Sequence, residues 1–311
     1  QKHFQATLQL LTVIGAENAV PRPGMLCGSF LPIAGSQGSR RHGQEKRQDG
    51  GNEAVHRVSP HALSWAAEAA AGVAAGYTSL KTKPRPWWDV IAQIEAVSDA
   101  TPAHFRIDMD PNGTLDNAAT AIPILTRLSA YERVAMFETP IPQKDVLGNR
   151  QIRRAVPRPI AMHFGSPPFL TALREEVCDG FVINGGAHKV LQDGAQAAGA
   201  AMPFWLQLVG NGLTTTWAAH LGAVLSHATW PTISCVNLYT DHLLSEPICV
   251  QGGYQRLPNG PGLGVTVDEE AIARYRVPDD KLATVAAGET YAHPTPRLIN
   301  TIHYPDGNRI H

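Results

Sequence analysis

The chain has 311 residues, of which 43% are hydrophobic, so it is long enough to bury a large core. Its 26 basic and 27 acidic residues nearly cancel, no basic stripe marks a nucleic-acid groove, and no acidic block marks a tail. No apolar run approaches the roughly 20 residues needed to span a bilayer. We therefore expect neither nucleic acid nor a membrane as a partner.

The cysteines and the first residues bear on location. The four cysteines form no C-x-x-C pair, and a chain of this length does not depend on a disulfide framework. The first 14 residues lack the long apolar core and the small-residue cleavage site of a signal peptide. These features predict a cytoplasmic protein with reduced thiols.

In chain order, we expect one short helix within residues 1–20 and then a loop broken by Gly and Pro. From residue 54, apolar runs of strand length alternate with Ala-rich stretches of helix length. The predicted strands are Ala54–Val58, Tyr77–Lys83, His104–Asp110, Val134–Glu138, Pro159–His163, Gly180–Ile183, Pro203–Leu208 and Thr232–Asn237. The predicted helices are His61–Ala75, Trp87–Ser98, Leu115–Ser129, Pro168–Val177, Lys189–Gly199, Thr214–His227 and Glu269–Tyr275.

Strands that alternate with helices predict an α/β fold with a parallel sheet, and about eight such units favour closure into a TIM-type barrel. Chemistry in such barrels sits at the carboxyl ends of the strands. Most of the predicted strands end in a polar or charged side chain, and this succession predicts an enzyme. These strand-end residues are Lys83, Asp110, Glu138, His163, Asn184, Gln207 and Asn237.

Two lysines end the second predicted strand. Side chains two apart share one face of a strand, so Lys81 and Lys83 both point into the barrel mouth. Two neighbouring cations lower each other's pKa, which leaves one amine free to act as a base. The alternative is a pair of solvated lysines at a strand end.

Carboxylates follow at the next two strand ends. Asp108 and Asp110 share a face of the third strand, and Glu138 ends the fourth. Such carboxylates suit a hard divalent cation, Mg²⁺ above all, whereas the alternative is helix capping or a buried ion pair. His163 ends the fifth strand, either as a third ligand, as a general acid or base, or as a core histidine. An imidazole ligand would favour Mn²⁺, Zn²⁺ or Fe²⁺.

These motifs together resemble the mandelate racemase and muconate lactonizing family of the enolase superfamily. They are the Lys-x-Lys of strand two, Asp110–Gly113, Glu138–Pro140 and Pro258–Val265. The resemblance implies a modified (β/α)7β barrel in residues 54–245, a cap from residues 1–53 and a tail, residues 246–311, that completes the cap. Because the family's cap is longer, we expect part of an N-terminal domain to be absent from this sequence. The resemblance also implies a homo-oligomer.

The family's chemistry is abstraction of the proton alpha to a carboxylate, with a Mg²⁺ ion that stabilises the enediolate. By motif, Asp110 and Glu138 resemble the first two metal ligands, and Lys83 resembles the base. Lys81 would lie beside the carboxylate of a small-molecule substrate. This arrangement is physically coherent, because stabilisation of developing charge contributes most to catalysis.

The sequence departs from the family's pattern at four strand ends. His163 stands where the third ligand is normally Asp or Glu, and no Lys ends strand six. Gln207 replaces a His of some subfamilies and Asn237 replaces a Glu, so both are candidate catalytic residues. These departures favour one-base chemistry on a hydroxy or sugar acid, by a dehydratase or cycloisomerase, over two-base racemisation. The alternatives are a barrel that binds a carboxylate ligand or a partner without turnover and, ranked last, a zinc hydrolase.

Overall fold

The computed structural model describes residues 3–9, 60–85, 88–279, 302–303 and 309–310. Six strands pair in parallel in sequence order, and a helix lies between each strand and the next. These strands are β2 (Ser79–Thr82), β3 (Arg106–Met109), β4 (Val134–Glu138), β5 (Ile160–His163), β6 (Gly180–Ile183) and β7 (Phe204–Leu206). The helices are α1 (Pro60–Ala74), α2 (Val90–Ala100), α3 (Ala118–Ser129), α4 (Val146–Ala155), α5 (Phe169–Arg174), α6 (Ala187–Gly199), α7 (Gly212–Val224) and α8 (Glu269–Tyr275).

The sheet curls like a barrel wall. Strand β1 (His3–Gln9) pairs in parallel with β2 on one side and with β8 (Thr232–Ile233) on the other. A parallel bridge between Gln207 and Ile233 connects the end of β7 to β8. The α/β class and the parallel sheet are thereby confirmed, while the division into cap, barrel and tail stays a prediction.

Two local predictions were wrong and one lies outside the described residues. The short helix expected within residues 1–20 is a strand over His3–Gln9, because its backbone pairs with three other strands. The eighth strand ends at Ile233 instead of Asn237, since Cys235 adopts a left-handed backbone and a 3-10 turn follows. The predicted strand Ala54–Val58 falls outside the described residues.

The remaining strands form a hairpin and a short ladder. Strands β9 (Val250–Gln251) and β10 (Tyr254–Arg256) are antiparallel, and β10 continues the sheet beside β1. Strands β11 (Ile302–His303) and β12 (Arg309–Ile310) pair with each other.

Within the described part of the chain, no helix is both long enough and apolar enough to cross a membrane.

The interior floor of the sheet is apolar on β4 to β7. Alternate residues of a strand face the same side, so the residues two positions before the polar strand ends form the layer beneath them. On β4 to β7 that layer contains Met136, Ala161, Val182 and Trp205, all nearly fully buried and packed in one cluster, whereas on β2 and β3 it carries Lys81 and Asp108. Polar groups on top of this floor are shielded from water on the inner side, which strengthens the interactions between their charges.

Candidate active site

Lys81 lies at the centre of the strand-end cluster. Its side chain is 1% exposed, and its ammonium donates a hydrogen bond to Glu138. The same Nζ lies 3.3 Å from Asp110 Oδ2 and 3.3 Å from Gln207 Oε1. Burial acts to lower the pKa of Lys81, but the carboxylates of Glu138 and Asp110 outweigh burial and raise the pKa. Lys81 therefore stays protonated at neutral pH.

Lys83 differs from Lys81 in both exposure and charge. Its side chain is 15% exposed, and its ammonium pairs with Asp110. Burial lowers the pKa of Lys83, Asp110 partly offsets that effect, and the nearby charge of Lys81 adds to the lowering. Mutual repulsion is thus a secondary cause, and only one of the two lysines has a lowered pKa. Lys83 is the amine of the pair that deprotonates more easily.

The turn after β3 fixes the carboxylate of Asp110. Asn112 has a left-handed backbone with φ 54°, and its backbone N–H donates to Asp110 Oδ1 at 2.9 Å. The Asn112 amide also donates to Asp110 Oδ2 at 3.0 Å. Arg85 in turn donates to the Asn112 side chain and to the Pro111 carbonyl. The Asp-x-Asn-Gly motif therefore serves to orient one carboxylate.

Glu138 and His163 form the second half of the cluster. Glu138 is 2% exposed, and its Oε1 lies 3.1 Å from His163 Nε2 without the geometry of a hydrogen bond. Burial acts to raise the pKa of Glu138, but Lys81 and His163 together hold that pKa well below its ordinary value. The imidazole of His163 is 34% exposed and faces the mouth. The structure thus brings together His163 and Glu138, which the sequence predicted at the ends of neighbouring strands.

Gln143, which the sequence did not single out, holds the loop ends after β4 and β5. Its Oε1 accepts from the His163 backbone N–H at 3.0 Å and from the Thr139 hydroxyl at 2.9 Å. Its amide donates to the His163 carbonyl at 3.2 Å and to the Ser166 carbonyl. One side chain therefore fixes the backbone of His163. No local sequence signal marks this role, since His163 lies 20 residues away.

Asp108 lies one layer below Asp110. Its side chain is buried, and it stands opposite Lys81 in the register of β2 and β3. Burial raises the pKa of Asp108 to about 7, Lys81 acts to lower it, and Glu138 acts to raise it. Asp108 is thus a carboxyl group that is readily protonated, beneath the carboxylates of the mouth.

The strand ends of β6, β7 and β8 complete the mouth. Gln207 contacts Lys81. Trp205 lies beneath Gln207, and the centroid of its ring is 5.5 Å from Lys81 Nζ. Asn184 is exposed after β6, and Asn237 is exposed in the 3-10 turn after β8. Cys235, buried near both lysines, has a thiol whose pKa burial raises to about 11.

The model of the family described as enolase C-terminal domain-like matches residues 64–271, about two thirds of the chain. The chain belongs to this family. The resemblance to the mandelate racemase and muconate lactonizing family predicted from the sequence is thereby confirmed. The segment that matches the enolase C-terminal domain-like family begins inside α1 and ends inside α8.

Curated relatives are matched over a little more than half of their own length. An N-succinylamino acid racemase of Amycolatopsis sp is 26% identical over 63% of this chain and 55% of the relative. Muconate cycloisomerase 1-2 of Acinetobacter lwoffii is 26% identical over 66% of this chain and 55% of the relative. The chain therefore spans about half the length of the curated relatives it matches.

Solved structures share the fold. A mandelate racemase/muconate lactonizing family protein from Azoarcus sp. EbN1 has a TM-score of 0.61 at 24% identity, over 71% of this chain and 64% of that one. An enolase from Mycobacterium smegmatis, complexed with tartrate, has a TM-score of 0.65 at 16% identity, over 93% and 66%. At these identities the structures support the fold alone.

The enolase C-terminal domain-like family implies a divalent metal, and the donor atoms present here fit one. Among the described residues, no three His, Cys, Asp or Glu side chains form a ready-made metal cluster. However, Mg²⁺ commonly binds through one or two carboxylates and takes its other ligands from water and substrate. Asp110 and Glu138 already share one cation, the Lys81 ammonium, and Glu138 Oε1 is a buried oxygen without a hydrogen bond.

Proposed function

We propose that the protein is a divalent-metal-dependent isomerase or lyase that removes the proton alpha to a carboxylate. The observation that carries the proposal is the Lys83 amine. It lies at the mouth of the curled sheet, it is partly exposed, and its pKa is lowered. A base works best when its pKa approaches the working pH, and Lys83 is the lysine of the pair whose pKa shifts in that direction.

The neighbouring residues would prepare the substrate and the charge around it. Asp110 and Glu138 would hold the cation, with His163 as a third donor through its neutral imidazole. A bound Mg²⁺ or Mn²⁺ would supply positive charge that stabilises the enediolate. Gln143 keeps His163 in place, and the apolar floor keeps water away from the inner side of the site.

We further propose one-base chemistry on a hydroxy or sugar acid, by dehydration or cycloisomerisation. Two-base racemisation needs a second proton acceptor on the far side of the substrate. Asn184 and Gln207 stand at the ends of β6 and β7, and an amide does not accept a proton in this pH range. Substrates of the relatives, namely N-succinylamino acids and muconate, belong in the first test set because they too are carboxylates.

Solvent isotope exchange tests the proposal. The full chain with Mg²⁺ or Mn²⁺ is incubated in D₂O with sugar acids, muconate, N-succinylamino acids and dipeptides, and deuterium is followed by NMR. We expect exchange or conversion with at least one acid, its loss in Lys83→Ala, and its retention in Lys144→Ala, a matched lysine on the loop after β4. Full activity of Lys83→Ala would contradict the proposal.

A second candidate is a barrel that binds a carboxylate without turnover. The observation that favours it is the Lys81 ammonium between Asp110 and Glu138, together with Asn184 at a strand end where some members of the family carry a Lys. Tight binding of an acid without deuterium exchange would support this candidate.

Homo-oligomer formation and a cytoplasmic location stay predictions.

A further inference from the structure

The position of Lys81 has a consequence for metal binding. A single ammonium contacts carboxylates from two neighbouring strands, Asp110 on one side and Glu138 on the other. Both carboxylates are almost completely buried, at 1% and 2% exposed, so water does not neutralise them. Their charge is balanced by Lys81 and, for Asp110, also by Lys83.

We propose that the Lys81 ammonium is a built-in competitor, which occupies the cation position between Asp110 and Glu138 and must leave for a divalent metal to bind. The inference rests on the metal dependence of the proposed function. Two cations that contact the same two carboxylate groups repel each other strongly at low solvent exposure. Metal binding and the ion pairs of Lys81 therefore exclude each other.

The structure also provides a place for the displaced ammonium. Gln207 Oε1 lies 3.3 Å from Lys81 Nζ, and the Trp205 ring centroid lies 5.5 Å from it. An amide oxygen and an aromatic face both stabilise a cation. Lys81 can retain these partners at the end of β7 while it gives up the two carboxylates at the ends of β3 and β4.

The competitor has two expected effects. It stabilises the metal-free protein, because removal of one partner from a buried ion pair leaves an uncompensated charge. It also weakens metal binding, since the apparent affinity falls with the fraction of molecules whose carboxylates are free. Both effects belong to Lys81 specifically, because Lys83 contacts only Asp110 and lies nearer to the solvent.

Calorimetric titration of Mg²⁺ and Mn²⁺ into the full chain, without substrate, tests the inference. We expect Lys81→Met to bind metal about tenfold more tightly than the wild type, and Lys83→Met to change the affinity by less than about threefold. The metal-free Lys81→Met variant should melt at a lower temperature than the wild type, and added metal should restore the melting temperature. Lys83→Met controls for the simple loss of one positive charge.

A measurement on the folded wild type covers the case in which Lys81→Met does not fold. Mg²⁺ should change the tryptophan fluorescence, because the Lys81 ammonium leaves the two carboxylates and shifts toward its partners Gln207 and the Trp205 ring. The change should disappear in Trp205→Phe and persist in Trp230→Phe, whose ring packs against Trp205 at 5.6 Å. A saturable Mg²⁺ response that survives in Trp205→Phe would overturn the inference.

The remaining outcomes are also decisive. Equal gains of affinity in Lys81→Met and Lys83→Met would show that long-range charge alone is responsible, and would overturn the inference. Unchanged or weaker binding in Lys81→Met, or no metal binding in any variant, would overturn it as well. Normal metal binding without turnover of any acid would instead count against the proposed function and leave the competition intact.

Discussion

Gln143 offers the sharpest test of how the site is held together. In Gln143→Glu the side chain keeps its shape and its acceptor oxygen, but it loses the amide that donates to the carbonyls of His163 and Ser166. A net contribution of about 1 kcal/mol for each bond gives an expected loss of about 2 kcal/mol in the free energy of unfolding. Repulsion between the carboxylate and the two carbonyl oxygens adds to this loss at neutral pH.

The pH dependence separates a lost donor from general damage. When the introduced carboxyl group is protonated, it regains one O–H donor, and the two facing carbonyls favour this protonated form. The folded pKa of the introduced group therefore lies above the unfolded value of about 4.3. Stability is present at low pH and lost as the pH rises through the folded pKa. The deficit against the wild type should be largest at about pH 8 and should shrink toward about pH 5.

Urea denaturation of the full chain at several pH values measures both effects. Gln151→Glu, an exposed position on α4, is the matched control and should change the unfolding free energy by less than about 0.5 kcal/mol. If Gln143→Glu were as stable as this control at pH 8, the two hydrogen bonds that the Gln143 amide donates would not hold the loops. A deficit that does not depend on pH would refute the donor argument.

Two further predictions concern metal choice and pH. His163→Asp replaces a nitrogen donor with a hard oxygen, so calorimetry should show the preference shifting from Mn²⁺ toward Mg²⁺ by about tenfold; an unchanged ratio would exclude His163 as a ligand. Burial raises the pKa of Glu68 from 4.5 to about 7, so its contribution to stability is present below pH 4.5 and lost as the pH rises to 7. In thermal or urea unfolding, Glu68→Gln should therefore be more stable than the wild type by about 1 kcal/mol at pH 8 and as stable as the wild type at pH 4. The value at pH 8 is reduced for solvent screening, because Glu68 is partly exposed. Parallel pH profiles of the two proteins would refute the prediction.

Periodicity predicted the strands well where an apolar run ends abruptly. The bounds of β4 and β6 agree with the predicted Val134–Glu138 and Gly180–Ile183. Helix α4 was missed, because Gly148 and several arginines hide its apolar side among polar residues. Its N-cap was nevertheless readable, since Asp145 accepts from the Gly148 backbone N–H at 2.9 Å.

The β9–β10 hairpin was missed for a different reason. Its strands are only two and three residues long, too short for a periodic signal. The turn signal was present, because Gly252 and Gly253 both have positive φ, at 59° and 82°. Two such residues in a two-residue loop are typical of a type I′ turn, which matches the twist of the strands it connects.

The cluster itself could be predicted from topology, but its pairings could not. Parallel strands bring their carboxyl ends to one edge, so Lys81, Asp110, Glu138 and His163 had to lie near one another once the strands were assigned. Which ammonium contacts which carboxylate depends on side-chain packing between strands. The contacts of Lys81 reach residues 57 and 126 positions away, and no local pattern encodes them.

The two lysines acquire different charge behaviour from one structural difference. They stand on the same face of one strand, two residues apart, yet Lys81 lies deeper, between two carboxylates above the apolar floor. Lys83 lies one layer higher, with one carboxylate and partial access to solvent. Depth below the mouth therefore separates a fixed cation from an amine that can release its proton. Two lysines two residues apart at the end of a parallel strand can thus serve as a fixed cation and as a base, because one lies deeper in the sheet than the other.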